Sequence, residues 1–173
     1  GEKTVNEKEK AIKEGEKTVN KEKKTVRQEK KAAKTASSIP QVRLNDADYE
    51  CLLKIVQSEA GICDQKGKIL VANVILNRMK NQDFPDTVTA VVYQKNQFSP
   101  VENGAIDRVC ITEETKEAVS MALSGTDYSK GALFFAARKL AGRENMKWFD
   151  ESLEFLFEHD GHEFFTLKTN IQS

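Results

Sequence analysis

The chain has 173 residues and a formal net charge of zero, but its positive and negative charges are unevenly distributed. Residues 1–40 hold 12 Lys and Arg against 7 Glu, whereas the rest of the chain holds 15 Lys and Arg against 20 Asp and Glu. This asymmetry predicts a basic arm attached to one folded domain. The longest apolar run, residues 69–72 (ILVA), is far shorter than the about 20 residues that cross a bilayer, which excludes a membrane span.

The predicted arm is a tandem repeat, since residues 1–14 and 15–28 are identical at seven of fourteen positions. Its apolar positions recur every seven residues but lack a second apolar seam, so we expect a solvated, partly helical linker over residues 1–40. The alternative is an arm that binds a polyanion. Nucleic acid is disfavoured as that partner, because Glu interleaves with Lys and no aromatic residue able to stack on a base precedes Tyr49. The folded domain is predicted over residues 41–173.

The first part of the domain has apolar residues three and four positions apart, which is the spacing of helices. The spacing and its interruptions predict helices over residues 46–60, 66–80, 85–92 and 113–123. Asn45 and Thr112 are expected to cap the first and last of these at their N-termini, and Gly61 is expected to end the first. The second helix is apolar nearly all round, which is typical of a central helix. Residues 94–110 are predicted to form a loop.

The last part of the domain favours strands. Residues 132–136 are a short apolar strand candidate, and residues 153–167 have a two-residue turn signal, 160–161 (DG), at their centre. In the resulting hairpin His159 is opposite His162. Helices followed by a small late sheet predict an α+β fold, mostly helical, with a small C-terminal antiparallel sheet.

Glu59 is the first candidate for chemistry. On the predicted helix it falls at the edge of the apolar stripe, beside Leu52 and Ile55, in the last turn before Gly61. A partly dry site disfavours the charged carboxylate, and the helix C-terminus acts in the same direction, so we expect a raised pKa. A carboxyl group that keeps its proton near neutral pH suits acid catalysis at a glycosidic oxygen. The alternative is an ordinary surface Glu whose side chain rotates into water.

Several segments follow one another in an order that resembles a known family. They are residues 57–61 (QSEAG), 67–78 (GKILVANVILNR), 84–88 (FPDTV), 91–99 (VVYQKNQFS), 131–135 (GALFF), Trp148 and 162–165 (HEFF). Over residues 48–167 the chain resembles bacterial cell-wall hydrolases of the spore-cortex-lytic enzyme type. The resemblance implies a compact, lysozyme-related fold that cleaves peptidoglycan between N-acetylmuramic acid and N-acetylglucosamine.

The resemblance also implies that Glu59 is the catalytic acid, because it matches the Glu of the family's E-A-[RG] motif. Members of the family act as lytic transglycosylases or as muramidase-like enzymes. In the transglycosylase route one carboxyl group protonates the leaving oxygen and then accepts the proton of the muramoyl 6-hydroxyl. No second carboxylate stands at an obvious position, and the nearest in sequence, Asp64, is predicted to be a turn residue. This favours transglycosylation over hydrolysis with two carboxylates.

Other positions of the resemblance imply a substrate-binding set. Its members are Asn77, Arg78, Tyr93, Gln97, Phe98, Ser99, Phe134, Phe135 and His162. Asn77 and Arg78 are expected to brace the site or, equally, to cap a helix. The side-chain amide of Gln97 and the hydroxyl of Ser99 are expected to bind N-acetyl groups. The aromatic side chains either stack on sugar faces or belong to the core. His162 matches a recurrent family His, although the local sequence DGH departs from the family's G-x-H.

Three Cys and two His permit a competing enzyme class. Cys51, Cys63 or Cys110 as nucleophile, with His159 or His162 as base, predicts a cysteine-dependent cell-wall amidase or peptidase. We disfavour it, because none of the Cys opens a helix after a glycine-rich turn, where a thiolate is stabilised. A non-catalytic peptidoglycan-binding module is a third hypothesis. Two His without a clustered third ligand argue against a metal site, and no cofactor is predicted.

The expected partner is peptidoglycan of the bacterial cell wall or of the spore cortex, with no nucleic acid and no membrane span. We expect a monomer that acts outside the cell, at the wall or the spore. A signal or anchor segment is expected to be missing from this sequence.

Overall fold

The computed structural model describes residues 42–169. The predicted arm and the domain boundary at residue 41 lie outside the described residues and stay predictions. The described helices are α1 (Asp46–Ala60), α2 (Gln65–Lys80), α3 (Val88–Val92), α4 (Ser99–Glu102), α5 (Glu113–Leu123) and α6 (Arg143–Ser152). A 3-10 turn covers Ala105–Asp107, and the strands are β1 (Phe134–Ala136), β2 (Leu153–His159) and β3 (His162–Leu167). Among the helices described here, none is long and apolar enough to cross a membrane.

Side-chain caps set where the main helices begin. Asn45 Oδ1 accepts a hydrogen bond from the backbone N–H of Asp48 at 2.8 Å, which confirms the predicted start of α1. Thr112 caps α5 in the same way, also as predicted. Asp64 Oδ1 accepts from the backbone N–H of Gly67 at 2.7 Å, so this carboxylate satisfies a donor that the first turn of α2 leaves unpaired.

Two predicted helix ends differ in detail from the structure. The third helix begins later than predicted, because Thr87, not Pro85, caps α3. Gly61 ends α1 as predicted, but its backbone is right-handed, with φ −57° and ψ −31°. Glycine is needed there for close packing instead, since an added Cβ would lie only 2.6 Å from the backbone oxygen of Gln57.

Helix α2 is buried on nearly all sides, as its sequence predicts. Val71 and Ile75 belong to the core cluster that α2 shares with α1 and α5. Leu70 and Val74 face the other way and pack against Phe164 of β3. Each fully buried aliphatic side chain of this kind contributes about 1.5–3 kcal/mol to folding, so α2 joins the helices and the sheet into one unit.

The three strands form an antiparallel sheet in the order β1-β3-β2. His159 pairs with His162 in the β2–β3 hairpin, which confirms the predicted register. The turn residues Asp160 and Gly161 have φ of 49° and 84°, the positive values that a two-residue hairpin turn of this type requires.

This register places Glu158 directly opposite Glu163, an arrangement that like charges disfavour. Each carboxylate has its own partner. Glu158 Oε1 accepts from the backbone N–H of Gly161 at 2.9 Å, and Glu163 Oε2 accepts from Nε of Arg138 at 2.6 Å. The two acidic groups are therefore drawn to different donors.

Two parts of the chain contain more regular structure than predicted. Residues 94–110, predicted as a loop, contain α4 and the 3-10 turn. Helix α6 is missing from the sequence prediction, because only three of its ten residues, Met146, Trp148 and Phe149, are apolar. The predicted α+β class, mostly helical with a small C-terminal sheet, is confirmed by the observed elements and by the structural comparisons given below.

Candidate active site

A cleft of about 970 Å³ opens between the end of α1, residues 96–105, the start of the sheet and α6. Eight of the ten residues predicted for the site line it, so the separate sequence predictions converge on one cavity. These residues are Glu59, Arg78, Gln97, Phe98, Ser99, Phe134, Phe135 and His162.

Glu59 stands in the last turn of α1 with its side chain half-buried at the cleft. Burial raises the pKa of its carboxyl group from 4.5 to about 7. Within residues 42–169 the carboxylate has no hydrogen-bond or ion-pair partner to oppose this shift. Glu59 is also the only Asp or Glu among the described residues that line the cleft. The site therefore contains one carboxyl group that is protonated in a large fraction of molecules at neutral pH.

Arg78 is a buried cation at the base of the cleft, with 3% of its surface exposed. Its Nε donates to the backbone oxygen of Leu133 at 2.7 Å, and its Nη1 donates to Oε1 of Gln97 at 3.0 Å. Burial lowers the pKa of the guanidinium to about 10, which leaves it charged at neutral pH. Arg78 thus connects α2 to the segment before β1 and to the loop that carries Gln97.

The guanidinium of Arg78 also organises the aromatic residues around it. Its central carbon lies 5.0 Å from the ring centroid of Phe84, 5.2 Å from that of Phe98 and 5.0 Å from that of Phe134. Such cation–π contacts strengthen when the cation is desolvated, as it is here. The rings of Phe98 and Phe134 are consequently held in place as parts of the cleft wall.

Asn77 and Tyr93 are the two predicted site residues that do not line the cleft. Asn77 Nδ2 donates to Oγ of Ser129 at 2.8 Å and to the backbone oxygen of Ala132 at 2.9 Å. It therefore supports the segment that leads into β1. Tyr93 ends α3 and is 49% exposed on a surface outside the cleft.

Trp148 lines the cleft but is absent from the predicted binding set. It is 49% exposed, and its ring meets those of Phe134 and Phe149 edge-to-face, with centroids 6.2 Å and 5.4 Å apart. The sequence motifs contain Trp148, but its place in the cleft depends on α6, a helix absent from the sequence prediction. The aromatic surface of the cleft thus includes Phe134, Phe135 and Trp148.

Gln57 is a second cleft residue that the site prediction omits. Its Oε1 accepts from the backbone N–H of Thr112 at 3.1 Å and from Oγ1 of Thr115 at 2.6 Å. These bonds tie the last turns of α1 to the start of α5. Gln57 therefore fixes the part of α1 that carries Glu59.

Asp64, the carboxylate nearest to Glu59 in sequence, is occupied elsewhere. Its Oδ1 lies 2.8 Å from Nε2 of His159 and accepts from the backbone N–H of Gly67. The hydrogen bond with His159 and then the one from Gly67 hold the pKa of Asp64 below its usual value. Asp64 does not line the cleft, so no second acid among residues 42–169 joins Glu59 there.

All three Cys have free thiols, and one of them meets a His. Cys63 Sγ lies 3.7 Å from Nδ1 of His162, and both side chains are buried. His162 lines the cleft, whereas Cys63 does not. Within residues 42–169, no group of three or more His, Cys, Asp and Glu has the arrangement of metal ligands.

Comparison with curated proteins finds relatives that act in spores. The spore cortex-lytic enzyme of Halalkalibacterium halodurans is 34% identical over 100 residues, which is 58% of this chain and 30% of the relative. The spore cortex-lytic enzyme of Bacillus subtilis is 34% identical over 88 residues, which is 51% of this chain and 28% of the relative. The chain spans about a third of the length of these curated relatives.

Two solved structures share the fold. The catalytic domain of the germination-specific lytic transglycosylase SleB from Bacillus anthracis aligns with a TM-score of 0.64 and 28% identity, over 71% of this chain and 97% of that one. The catalytic domain of the Bacillus cereus SleB protein aligns with a TM-score of 0.62 and 25% identity, over 75% and 97%. Residues 64–165 match the family described as Cell Wall Hydrolase, and Glu59 lies just before that stretch. Because the match covers more than half of the chain, this protein belongs to the Cell Wall Hydrolase family, as its sequence motifs predict.

Proposed function

We propose that this chain is a lytic transglycosylase that cleaves peptidoglycan between N-acetylmuramic acid and N-acetylglucosamine, with Glu59 as both acid and base. The observation that carries the proposal is Glu59, the only carboxyl group that lines the cleft in the described part of the chain, whose pKa burial raises to about 7. Membership of the Cell Wall Hydrolase family supports a cell-wall substrate. The SleB catalytic domain, a germination-specific lytic transglycosylase in Bacillus anthracis, supports the reaction class.

The reaction needs only one carboxyl group. Protonated Glu59 donates its proton to the glycosidic oxygen while the bond from that oxygen to the muramoyl C1 breaks. The resulting carboxylate accepts the proton of the muramoyl 6-hydroxyl, whose oxygen bonds to C1 and closes a 1,6-anhydro ring. The proton lost in the first step returns in the second, so Glu59 is restored and no water is consumed.

Hydrolysis fits the cleft less well. Glycosidases that hydrolyse by the usual routes use two carboxyl groups, roughly 5–10 Å apart. In the described part of this chain Glu59 is the only carboxyl group at the cleft, and Asp64 is engaged with His159 and Gly67. This arrangement supports transglycosylation over a muramidase reaction.

The rest of the cleft suits a sugar chain. We assign sugar stacking to Phe134, Phe135 and Trp148, whose apolar faces match the C–H faces of pyranose rings. Gln97 and Ser99 offer an amide and a hydroxyl for the N-acetyl groups. Arg78 acts on the substrate through Gln97, whose side-chain oxygen it holds at 3.0 Å.

The cysteine-dependent amidase is the alternative that a specific contact favours, since Cys63 lies 3.7 Å from His162. A nucleophilic Cys requires a thiolate, but burial raises the pKa of the Cys63 thiol and lowers that of the His162 imidazole. Both groups therefore favour their neutral forms. Cys63 is also not among the residues that line the cleft, so its sulfur is poorly placed to attack a bound stem peptide.

The site of action follows from the substrate. The relatives are spore cortex-lytic enzymes, so we place this protein outside the cell, on vegetative wall or spore cortex. We also propose that it acts as a monomer. In this proposal the basic residues 1–40 attract the domain, which carries a formal charge of −5, to the anionic wall. Removal of residues 1–38 should weaken binding to sacculi at low salt while cleavage of short soluble glycans persists.

Product analysis tests the reaction. Purified vegetative sacculi and spore cortex are digested with the wild type and with Glu59→Gln, and the products are identified by mass spectrometry. We expect 1,6-anhydro-muropeptides from the wild type and none from the variant. Glu50→Gln is the matched control, because Glu50 lies on the same helix, is exposed and pairs only with Lys54 among the described residues. It should keep full activity.

Other products contradict the proposal in different ways. Reducing muramic acid ends would replace transglycosylation by hydrolysis. Cleaved stem peptides would favour the amidase. A wild type that binds sacculi without releasing any product would favour the non-catalytic module.

A further inference from the structure

A buried thiol–imidazole contact lies behind one edge of the cleft. Cys63 belongs to the connection between α1 and α2, and His162 is the first residue of β3, 99 residues later. Cys63 Sγ and His162 Nδ1 are 3.7 Å apart, a hydrogen-bonding distance for the large sulfur atom. The reaction proposed above does not use Cys63, so the contact requires its own explanation.

The imidazole ring of His162 is held in a fixed orientation. It meets the ring of Phe135 edge-to-face at 5.4 Å and that of Phe164 at 6.4 Å. Only 7% of His162 is exposed, yet it lines the cleft. Since Nδ1 faces Cys63, the second ring nitrogen, Nε2, is left for the cleft, and it has no hydrogen-bond partner among residues 42–169.

The residue after Cys63 binds the hairpin next to the contact. The backbone N–H of Asp64 donates to Oδ2 of Asp160 at 2.9 Å, and Nε2 of His159 lies 2.8 Å from Oδ1 of Asp64. Nζ of Lys68 also donates to the backbone oxygen of Cys63. These bonds prevent the sulfur from moving away from the ring.

The charge states of the pair decide which group donates. Burial, the charges of the nearby Asp160 and Asp64 carboxylates and a side-chain hydrogen bond with Asp160 raise the pKa of Cys63, and only Lys68 opposes them, so the sulfur keeps its proton. Asp160 is therefore a second acceptor for that proton, beside Nδ1 of His162 at 3.7 Å. Burial and His159 lower the pKa of His162 against the attraction of Asp160, which favours the neutral ring. A neutral ring carries one proton and offers one acceptor nitrogen. A thiol donor at Nδ1 therefore leaves the ring proton on Nε2.

We propose that Cys63 is a positioning residue whose thiol donates a hydrogen bond to Nδ1 of His162, which fixes the Nε2–H tautomer and presents a rigid N–H donor to the cleft. The bound glycan supplies the acceptor, and the chemistry of the substrate points to an N-acetyl carbonyl oxygen. This last step rests on the proposed function, whereas the tautomer does not.

Nuclear magnetic resonance measures the tautomer directly. The full chain is labelled with ¹⁵N-histidine, and its two His are assigned with a His159→Gln variant. In the wild type we expect His162 to be neutral, with the proton on Nε2. Cys63→Ala should bring in the Nδ1–H tautomer as a second population, whereas Cys63→Ser, which keeps a donor, should retain Nε2–H.

Kinetics then tests the consequence for substrate. On purified glycan strands freed of stem peptides, Cys63→Ala should raise KM by about fivefold, the effect of one hydrogen bond, with kcat within about twofold of the wild type. Cys63→Ser should restore most of the loss. Cys51→Ala is the matched control, because Cys51 is equally buried, has a free thiol and lies away from the cleft. It should leave KM and the His162 signals unchanged.

The possible outcomes separate this inference from the proposed function. A Cys63→Ala protein with the wild-type tautomer and wild-type KM overturns the inference, as does a thiol that donates only to Asp160. If Cys63→Ala does not fold, a Cys63→Ser protein that loses the Nε2–H tautomer overturns it equally. If the wild type fails to cleave glycan, the proposed function is wrong, and the tautomer experiment still decides the role of Cys63. A kcat that vanishes in both Cys63 variants overturns the positioning role in favour of a nucleophile.

Discussion

The two walls of the cleft present different chemistry. The wall at the end of α1 carries the polar side chains of Gln57, Ser58 and Glu59, including the only acid at the cleft in the described chain. The wall formed by β1 and α6 carries Phe134 and Trp148, whose rings meet edge-to-face. We infer that the first wall performs the reaction and the second binds the sugar chain. Changes in the first should lower kcat, and changes in the second should raise KM.

Replacement of the acid should give the largest effect. Glu59→Gln keeps the size of the side chain but cannot donate and recover a proton, so we expect kcat to fall by about 10²–10⁴-fold with little change in KM. Steady-state kinetics on soluble glycan strands measures both constants. A variant that keeps more than a tenth of wild-type kcat would remove Glu59 from the reaction.

The same variant should change the pH dependence of stability. Because burial raises the pKa of Glu59 from 4.5 to about 7, the folded protein holds this proton more tightly than the unfolded chain does. Glu59 therefore contributes stability below about pH 4.5 that is lost as the pH rises through 7. Glu59→Gln has no such group and avoids the loss. Between pH 4 and pH 8, its free energy of unfolding should therefore rise by about 1–3 kcal/mol relative to that of the wild type. Urea unfolding at the two pH values measures the difference.

The acid role also predicts an alkaline limit to activity. Since Glu59 must be protonated to donate its proton to the glycosidic oxygen, and its pKa is about 7, kcat/KM should fall by about tenfold per pH unit above neutrality. Initial rates between pH 5 and 9 measure the profile, with circular dichroism as a check that the fold persists. A flat profile through pH 9 would mean that another group donates the proton.

The base of the cleft is tested at Arg78. Arg78→Lys keeps the charge but loses the planar donor pair that reaches Leu133 and Gln97, so we expect a loss of about 2–3 kcal/mol in the free energy of unfolding. Arg138→Lys is the matched control, since Arg138 makes a similar fork to Asp150 and Glu163 on the exposed surface. The loss in free energy of unfolding for Arg138→Lys should be much smaller. Equal losses would show that burial of Arg78 does not strengthen its contribution to stability.

Parts of this site could be predicted because their causes are local. The helical position of Glu59 beside Leu52 and Ile55 already implies partial burial, which is the cause of its raised pKa. The caps at Asn45 and Thr112 are likewise decided within a few residues. Interactions of this kind are contained in a short stretch of sequence, so spacing and residue type suffice.

Other parts depend on contacts between distant segments. Cys63 and His162 meet across 99 residues, and no spacing rule indicates that contact. Trp148 reaches the cleft on α6, which has three apolar residues among its ten, too few to predict a helix from their spacing. Tyr93 is the converse case, because this aromatic residue of a family-like segment lies on a surface outside the cleft. Tertiary packing decides all of these positions.

The aromatic wall is tested at Trp148. Trp148→Ala removes a half-exposed ring, so we expect KM for glycan strands to rise by about 3–10-fold with kcat nearly unchanged. Tyr93→Ala is matched in exposure, at 49% for both residues, but lies outside the cleft and should leave KM unchanged. A larger KM in Tyr93→Ala than in Trp148→Ala would support the predicted binding role of Tyr93 and would place the sugar-binding surface around that residue.

The smallest effect is expected at Asp64, an acid close to Glu59 in sequence that does not line the cleft. Asp64→Asn keeps a good helix cap but loses the charge that attracts His159, and the exposed pair contributes only about 0.2–1 kcal/mol to stability. The pKa of Asp64 is lowered, so this stability is present above the unfolded pKa of 3.8 and is lost as the pH falls. Unfolding at pH 7 should therefore show a small deficit that shrinks toward pH 3, and kcat should stay within about twofold of the wild type because Asp64 does not face the substrate. A fall in kcat of the size expected for Glu59→Gln would instead make Asp64 a second catalytic carboxylate. The part of the molecule that performs the reaction would then include the connection from α1 to α2 as well as the end of α1.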